Sequence, residues 1–220
     1  MGTALVIGAN RGIGLELCKQ LKVRGEQVIA ACRRSSPELE DLGVRIEVGV
    51  DVASVEAVAG LARRLERNPI HLLVHSAGIM ERHGLDANVV DSIRRQFEIN
   101  AIGPLRVTAA LAPNMTTGAK IAILTSRMGS IGENTSGGSY GYRMSKAAVN
   151  MAGVSLAHDL RSRGVAVALL HPGFVRTQLT GQRGDIDPPE AVRGLLARID
   201  ELTPATSGGF WHADGTRLPF

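Results

Sequence analysis

The chain has little of what disulfide scaffolds, metal centres and nucleic-acid surfaces require. Its 220 residues include 2 cysteines, Cys18 and Cys32, which are too few and too far apart for a disulfide framework or a metal site. The 6 histidines show no metal-ligand spacing with acids or cysteines. Aromatic residues make up 3% of the chain and the formal net charge is +4, with basic residues clustered no further than pairs such as Arg33-Arg34. Nucleic-acid binding, which favours dense basic stripes with interleaved aromatics, is therefore not expected.

Long apolar runs are missing as well, and no leader sequence is expected. No run approaches the roughly 18 consecutive apolar residues of a membrane-spanning helix, and the start, MGTALVIGAN, lacks a basic leader. We therefore expect a single globular domain over residues 1–220, located in the cytoplasm, with both cysteines as buried free thiols. No metal, membrane or nucleic-acid partner is expected.

Short apolar runs alternate with longer amphipathic stretches along the chain. The stretch 35–43 is short for a full crossover helix, so a loop is expected there. This alternation predicts βαβ units, and right-handed crossovers then give an α/β, doubly wound Rossmann fold with a mostly parallel seven-stranded sheet and helices on both faces. The predicted strands lie at 4–8, 27–32, 45–50, 71–76, 120–126, 165–171 and 208–212, and the predicted helices at 12–24, 54–67, 88–112, 141–163 and 188–201.

A glycine-rich turn, VIGANRGIG, joins the first predicted strand to the first helix. Gly8, Gly12 and Gly14 allow a tight turn and close approach of a pyrophosphate to the backbone, and the helix start offers unpaired N–H groups to that anion. An ordinary strand-to-helix loop is the alternative. The position of the turn after an apolar strand and before an amphipathic helix favours a dinucleotide site.

The residues after the second predicted strand favour NADP(H) over NAD(H). An NAD site usually has an acid there to hold the ribose 2′-hydroxyl, whereas this chain reads ACRRSS. Arg33 suits a 2′-phosphate, with Arg11 of the glycine turn facing it; surface arginines without a ligand are the alternative. Asp51 could accept from the adenine amine with Val52 donating its backbone N–H, although capping of the following helix would use such residues equally well.

Tyr142 and Lys146 lie one turn apart on a predicted helix and share a face. A cation near a phenol, together with an oxidised nicotinamide ring, favours phenolate, and such a phenol can exchange a proton with a carbonyl or alcohol oxygen. Ser126, at the end of the fifth predicted strand, is placed to hold that oxygen, and Ser130 is an alternative for this role. A helix that merely carries an aromatic and a cation remains the competing interpretation.

Several motifs together resemble the short-chain dehydrogenase/reductase family, and nearly the whole chain takes part. Besides Ser126, they are GANRGIG (8–14), HSAG (75–78), FEINAIGPL (97–105), YRMSK (142–146) and HPGFVRT (171–177), in the family's order. The final residues and the stretch around Tyr142 resemble the sniffer-type carbonyl reductases and the bacterial C-factor proteins. Two positions depart from the family pattern: Ile7 replaces a threonine, and His75-Ser76 replaces a pair of asparagines.

The resemblance implies roles for individual residues. Tyr142 would be the acid/base, Lys146 would lower its pKa and bind the nicotinamide ribose, and Ser126 would hold the substrate oxygen. Asn100 would interrupt its helix and anchor a water that connects Lys146 to solvent. Residues of the HPGFVRT motif would hold the carboxamide side of the cofactor. The candidate cofactor-binding residues are Gly8, Asn10, Arg11, Gly12, Ile13, Gly14, Arg33, Asp51, Val52, Ser76, Ala77, Gly78, Tyr142, Lys146, Pro172, Gly173, Val175 and Thr177.

The expected activity is hydride transfer between NADP(H) and a small carbonyl or alcohol substrate, most simply as an NADPH-dependent carbonyl reductase. A homodimer or homotetramer formed through the helices at 88–112 and 141–163 is expected by family analogy. A dinucleotide-binding regulatory or signalling protein of the C-factor type, with little turnover, is the alternative. The presence of Ser126, Tyr142 and Lys146 favours the enzyme, because a protein that only binds the cofactor has no need of the phenol or the serine.

The arginine after the second strand generates a direct test of cofactor choice. We expect NADPH to bind more tightly than NADH, because Arg33 can pair with the 2′-phosphate that NADH lacks. Replacement Arg33→Ala should weaken NADPH binding and leave NADH binding unchanged, as measured by titration of each nucleotide. Equal affinities for both nucleotides, unaltered by the replacement, would show that the NADP(H) assignment is wrong.

Overall fold

The apolar runs of the sequence become buried strands of one sheet. The computed structural model describes residues 2–85 and 89–220. Its named strands all pair in parallel, in the order β3-β2-β1-β4-β5-β6-β7, so the predicted doubly wound fold is confirmed. The strands are β1 (Thr3–Ile7), β2 (Gln27–Ala31), β3 (Arg45–Glu47), β4 (Ile70–His75), β5 (Met115–Leu124), β6 (Ala166–His171) and β7 (Phe210–His212).

The helices follow the predicted pattern with two differences. The stretch expected to be a loop holds one helical turn, because Ser36 accepts a hydrogen bond from the Leu39 backbone N–H and caps it. The long helix predicted at 88–112 is interrupted by a π-helical segment, Glu98–Ile102, and residue 88 lies outside the described residues. The helices are α1 (Gly12–Val23), α2 (Pro37–Glu40), α3 (Val55–Arg64), α4 (Val90–Phe97), α5 (Gly103–Leu111), α6 (Tyr140–Asp159) and α7 (Pro188–Asp200).

Alternate residues of each strand pack on opposite faces of the sheet. On β6, Val167 and Leu169 belong to the core shared with α3, α5 and α6, whereas Ala168 and Leu170 belong to the core shared with α1 and α7. Strands buried on both faces need continuous apolar sequence, which these runs supply. Both cysteines are free and buried in the core beside α1. No helix among the described residues has the length and apolar character needed to cross a membrane.

The two positions that depart from the family pattern are accommodated by other hydrogen bonds. The backbone N–H of Ser76 donates to the carbonyl of Ile7 over 2.9 Å, so β1 and β4 stay joined at their carboxyl ends. His75 is buried, and its Nε2 lies 2.9 Å from the hydroxyl of Thr108 on α5. Burial lowers the pKa of His75 to about 3, so it is a neutral structural side chain.

The fifth strand is longer at its start than the sequence predicts and shorter at its end. It begins at Met115 and pairs with β4 through a register shift between Ile70 and Leu72, then ends at Leu124. Ser126 therefore lies two residues beyond the strand, where it begins a 3-10 turn over Arg127–Gly129. This places the serine at the carboxyl edge of the sheet, where open α/β folds bind ligands.

Close packing at the first turn of α1 makes Gly14 intolerant of a side chain. A Cβ atom there would overlap the carbonyl oxygen of Gly8. We expect Gly14→Ala to lower the free energy of unfolding by about 3 kcal/mol, because backbone cannot move aside as a flexible side chain can. Gly60→Ala on α3 is the matched control: its new Cβ would meet the end of the Arg64 side chain at 3.3 Å. This control should be neutral or stabilising by about 0.5–1 kcal/mol. Urea denaturation measures both, and an equal effect of the two variants would contradict this packing.

Candidate active site

The glycine turn lies against the segment that follows β4. Gly8 has φ +85°, and a Cβ added to it would lie 2.6 Å from the backbone nitrogen of Ala77. Only a residue without a side chain fits there. The contact brings two groups of predicted cofactor residues, the turn 8–14 and the segment 76–78, to the same place at the sheet edge.

The N-terminal end of α1 is arranged to receive an anion. Its first turn contains no acidic residue, and no side chain of the described residues caps it. The free N–H groups and the positive end of the helix dipole can therefore bind a pyrophosphate. The Arg11 guanidinium donates to the side chain of Gln178, which joins the glycine turn to the loop after β6.

The loop after β6 forms the opposite side of this groove. Gly173 has φ +92°, and Val175 pairs with Ile186 in an isolated bridge. The Thr177 backbone N–H donates to the hydroxyl of Thr180 over 3.1 Å, which holds the loop in shape. A Cβ added to Gly12 would lie 3.4 Å from the Thr177 methyl group. The predicted pyrophosphate and carboxamide regions therefore face one another.

The residues predicted to read the adenosine half lie beside the glycine turn. Arg33 follows β2 and is exposed, and the nearby Ser36 hydroxyl donates to the carbonyl of Asn10 over 2.9 Å. One carboxylate oxygen of Asp51 accepts from the backbone of Ala53 over 2.9 Å. Asp51 thus has a local structural use as well as the predicted one.

Val52 is buried and serves packing and helix attachment. Its carbonyl accepts from the guanidinium of Arg106 over 2.6 Å, and a Cβ added to Gly103 would lie 2.9 Å from its methyl group. Ser54, two residues on, caps α3 by accepting from the Ala57 backbone N–H over 3.1 Å. The structural use of this stretch, which the sequence left open, is therefore observed.

Tyr142, Lys146 and Ser126 come together at the carboxyl edge of β5. Tyr142 and Lys146 are both buried on α6, and the Lys146 Nζ lies 5.8 Å from the Tyr142 ring centroid. That Nζ donates to the carbonyl of Leu124 over 2.8 Å. The Ser126 hydroxyl accepts from the Met128 backbone N–H over 3.2 Å and also interacts with the Tyr142 phenol.

The alternative serine raised by the sequence and the second tyrosine of the chain are placed elsewhere. The Ser130 hydroxyl accepts from the Glu133 backbone N–H over 3.2 Å and shapes the loop that follows Ser126. Tyr140 is exposed at the start of α6, whereas Tyr142 is 6% exposed. The geometry therefore favours Ser126 and Tyr142 for the reaction.

Burial controls the ionisation of the tyrosine and the lysine. It raises the pKa of Tyr142 to about 12, against smaller lowering effects of the Ser126 hydroxyl and the Arg82 charge. It lowers the pKa of Lys146 to about 8. In Tyr142 the effect of burial on the pKa outweighs the lowering effects of these neighbouring groups. At neutral pH Tyr142 is therefore a neutral phenol that can donate a proton.

Asn100 lies within the π-helical segment and is almost fully buried. Its side chain accepts from the Ile79 N–H over 2.9 Å and donates to the Ile79 carbonyl over 2.9 Å and to the Ser145 hydroxyl over 3.0 Å. A Cβ added to Gly78 would lie 3.3 Å from the Asn100 Oδ1 and 3.8 Å from the Lys146 Nζ. The predicted interruption of the helix is present, and Asn100 joins the segment after β4 to α6.

A buried polar stripe, which the sequence motifs do not include, shapes one wall of the site. Ser92, Gln96 and Asn100 are spaced four residues apart, so they share one helix face, and all three are buried. The four-residue spacing of these polar residues is visible in the sequence and is the signal that could have revealed the stripe. The Ile79 N–H donates to Asn100 Oδ1 over 2.9 Å, the Glu81 N–H donates to Gln96 Oε1 over 3.1 Å, and His83 Nε2 lies 2.8 Å from Ser92 Oγ.

The pKa of Tyr142 provides a test of this electrostatic picture. We expect the ultraviolet absorbance difference between the wild type and Tyr142→Phe to titrate near pH 12, because an acid with a raised pKa ionises later as the pH rises. Saturating oxidised NADP should move the midpoint downwards, because a nearby positive ring favours phenolate. A midpoint at or below about 10, the ordinary phenol value, without added nucleotide would show that burial does not control this group.

Comparison with known proteins accords with this geometry. The model of the short chain dehydrogenase family matches residues 2–187. The chain is 50% identical over 224 residues to 1-hydroxy-2-glutathionyl-2-methyl-3-butene dehydrogenase of Rhodococcus sp. (strain AD45), with 99% of both proteins covered. It is 46% identical over 159 residues to C-signal of Myxococcus xanthus, which covers 69% of this chain and 93% of that protein.

Solved structures show the same fold at lower identity. Carbonyl reductase Sniffer of D. melanogaster is 30% identical, with a TM-score of 0.93 and 100% of both chains covered. The NADPH-bound carbonyl reductase from chicken fatty liver is 27% identical, with a TM-score of 0.91, and the match covers 100% of this chain and 99% of that one. Because the family model spans most of the chain and the Rhodococcus relative spans nearly all of it, the chain belongs to the short-chain dehydrogenase family of oxidoreductases.

Proposed function

We propose that the protein transfers a hydride between NADP(H) and a carbonyl or alcohol substrate, acting as a carbonyl reductase when NADPH is in excess. The observation that carries this proposal is the cluster of Ser126, Tyr142 and Lys146 at the carboxyl edge of β5. The same edge carries the glycine turn and the uncapped start of α1, so a dinucleotide bound there would reach the cluster.

The protein's own groups act on the substrate oxygen and its proton. When bound, the nicotinamide supplies or accepts the hydride. The Ser126 hydroxyl holds the substrate oxygen, and the neutral phenol of Tyr142 donates its proton to that oxygen during reduction. Lys146, with a pKa near 8, is able to hold the nicotinamide ribose as an ammonium at neutral pH and to return a proton to the phenol. The reverse sequence oxidises an alcohol.

Two features support NADP(H) as the cofactor. Arg33 is exposed beside the glycine turn, where a 2′-phosphate would lie, whereas the Arg11 guanidinium is bound to Gln178; the ACRRSS stretch carries no competing acid. The chicken fatty liver carbonyl reductase, of the same fold, is bound to NADPH. Asn10, Ile13, Ser76, Ala77, Gly78 and Pro172 would complete the groove with the backbone groups already described.

Oxidation of a hydroxyl group on a glutathionyl compound is a second candidate within the same chemistry. It is favoured by the 50% identity over 99% of both chains to a dehydrogenase named for such a substrate. The similarity to C-signal supports the regulatory protein with little turnover as the alternative function. The buried phenol and serine favour catalysis over regulation, because a binding protein gains nothing from keeping them.

Assembly through α4, α5 and α6 is part of the proposal. These helices and the π-helical segment between α4 and α5 expose apolar side chains, including Ile102, Leu105, Met144 and Met151. We propose a homodimer or homotetramer formed on this surface, by a cytoplasmic protein that consists of one domain over residues 1–220.

The two tyrosines of the chain provide a matched test of catalysis. We expect NADPH consumption with a panel of aldehydes, α-diketones, quinones and ketosteroids, and a loss of kcat/KM of roughly 100- to 10,000-fold in Tyr142→Phe, because the proton donor is removed. NADPH binding should persist in that variant. Tyr140→Phe, which removes an exposed hydroxyl, should keep wild-type rates.

The outcomes separate the candidates. Turnover with NADP and a glutathionyl alcohol, but with none of the carbonyl panel, would favour the second candidate. NADPH binding without turnover of any of these substrates would favour the regulatory alternative. Equal activity of the wild type and Tyr142→Phe would refute the assignment of Tyr142 as the proton donor.

A further inference from the structure

Residues 79–83 run along α4 and the π-helical segment with a spacing that determines which side chains face these helical segments. Two residues of an extended chain advance about 6.6 Å, and four residues of a helix advance about 6 Å. Every second residue of the extended segment can therefore meet every fourth residue of the helix. Positions 79, 81 and 83 accordingly meet Asn100, Gln96 and Ser92 in turn. Gln96 also donates back to the Glu81 carbonyl over 3.3 Å.

The alternation of side chains then directs Arg82 away from α4. The side chains of Glu81 and His83 reach towards α4, where Glu81 pairs with Arg95 and His83 meets Ser92. Successive side chains of an extended segment point to opposite sides. Arg82 therefore points away from α4, and its charge acts on the Tyr142 phenol. The Ser139 N–H donates to the His83 carbonyl over 3.0 Å, which ties this segment to the start of the helix that carries Tyr142.

The other cations around the site are engaged in the structure. Arg127 pairs with Glu133, and Arg143 donates to the Met128 and Gly137 carbonyls and to the Ser136 hydroxyl. Among residues 2–85 and 89–220, the recorded ion pairs of this region do not include Arg82, and its side chain is exposed. Within the described part of the chain, its guanidinium therefore has no anionic partner to give up before it binds an external anion.

We propose that Arg82 is a specificity-determining residue that binds a carboxylate of the substrate while the reacting oxygen lies against Tyr142 and Ser126. The substrate class is a carbonyl or alcohol compound that carries a carboxylate, and this assignment rests on the proposed function. A guanidinium can bind a carboxylate through two parallel hydrogen bonds, which fixes orientation as well as affinity.

Two further observations support this substrate class. The charge of Arg82 lowers the pKa of Tyr142, so the guanidinium lies close enough for its field to act on the phenol. The Rhodococcus relative is named for a glutathionyl substrate, and a glutathionyl group carries two carboxylates. A simple carboxylic acid and a glutathionyl compound share the chemistry that Arg82 would bind.

Two aldehydes that differ in charge provide the kinetic test. With NADPH, para-carboxybenzaldehyde and para-nitrobenzaldehyde present the same reacting group on rings of similar size, one anionic and one neutral. Arg82→Gln should lower kcat/KM for the anionic aldehyde by roughly 10- to 100-fold and leave the neutral aldehyde within about twofold. Arg82→Lys should retain part of the preference. Because Tyr142 stays protonated at neutral pH with or without Arg82, the neutral substrate loses no proton donor.

Arg161→Gln is the matched control for loss of one positive charge. Arg161 is exposed beyond the far end of α6, near the amino-terminal edge of the sheet, so both aldehydes should keep their wild-type rates. The assignment would be overturned if the wild type showed no preference for the anionic aldehyde. It would also be overturned if Arg82→Gln lowered kcat/KM equally for both aldehydes.

A binding measurement distinguishes failure of this inference from failure of the proposed function. S-hexylglutathione and its diethyl ester are titrated calorimetrically into the protein with NADPH present. Tighter binding of the free acid, lost in Arg82→Gln and kept in Arg161→Gln, supports the carboxylate site and a glutathionyl source even if neither aldehyde reacts. An anionic preference with the aldehyde alone indicates a simple carboxylate substrate. Equal binding of acid and ester, together with equal aldehyde kinetics, refutes the role of Arg82.

Discussion

Close approach between backbones at positions without a Cβ atom is the constraint on which this site depends. The turn after β1 contacts the segment after β4 at Gly8, and the 3-10 turn after β5 contacts α6 at Gly129, where a Cβ would lie 2.7 Å from the carbonyl carbon of Lys146. The first contact places the nucleotide groove beside β4. The second places Ser126 beside the turn of α6 that carries Tyr142 and Lys146. Side chains at these glycines would separate the elements and the reacting groups with them.

The second condition is burial of groups that change their charge. Lys146 and Tyr142 lie beneath the carboxyl edge of the sheet, and burial shifts both of their pKa values towards the neutral form. The hydrogen bond from the Lys146 Nζ to the Leu124 carbonyl stabilises this polar group in the interior. A neutral phenol and a cation that loses its proton near pH 8 are suited to passing protons at physiological pH. This arrangement costs stability, because each buried polar group gives up its hydration.

Much of the fold could be predicted, because it follows from short-range patterns. The seven apolar runs appear as strands and the amphipathic stretches as helices, since burial on both sheet faces requires continuous apolar sequence. The candidate site residues after β1, β4, β5 and β6 could also be placed together, because the carboxyl ends of parallel strands lie at the same edge of the sheet. The errors lie where local capping or long-range pairing intervenes: Ser36 starts a helical turn in an expected loop, and β5 begins at Met115 through pairing with β4.

The sequence by itself determined the family resemblance, the parallel doubly wound sheet and the residue types available for chemistry, because spacing and periodicity are properties of the chain. The tertiary structure decided the rest. It alone shows that burial raises the pKa of Tyr142, that Ser130 shapes a loop, and that the buried polar stripe holds the segment 79–83. These properties depend on desolvation and on contacts between residues distant in sequence, and neither can be read from local spacing.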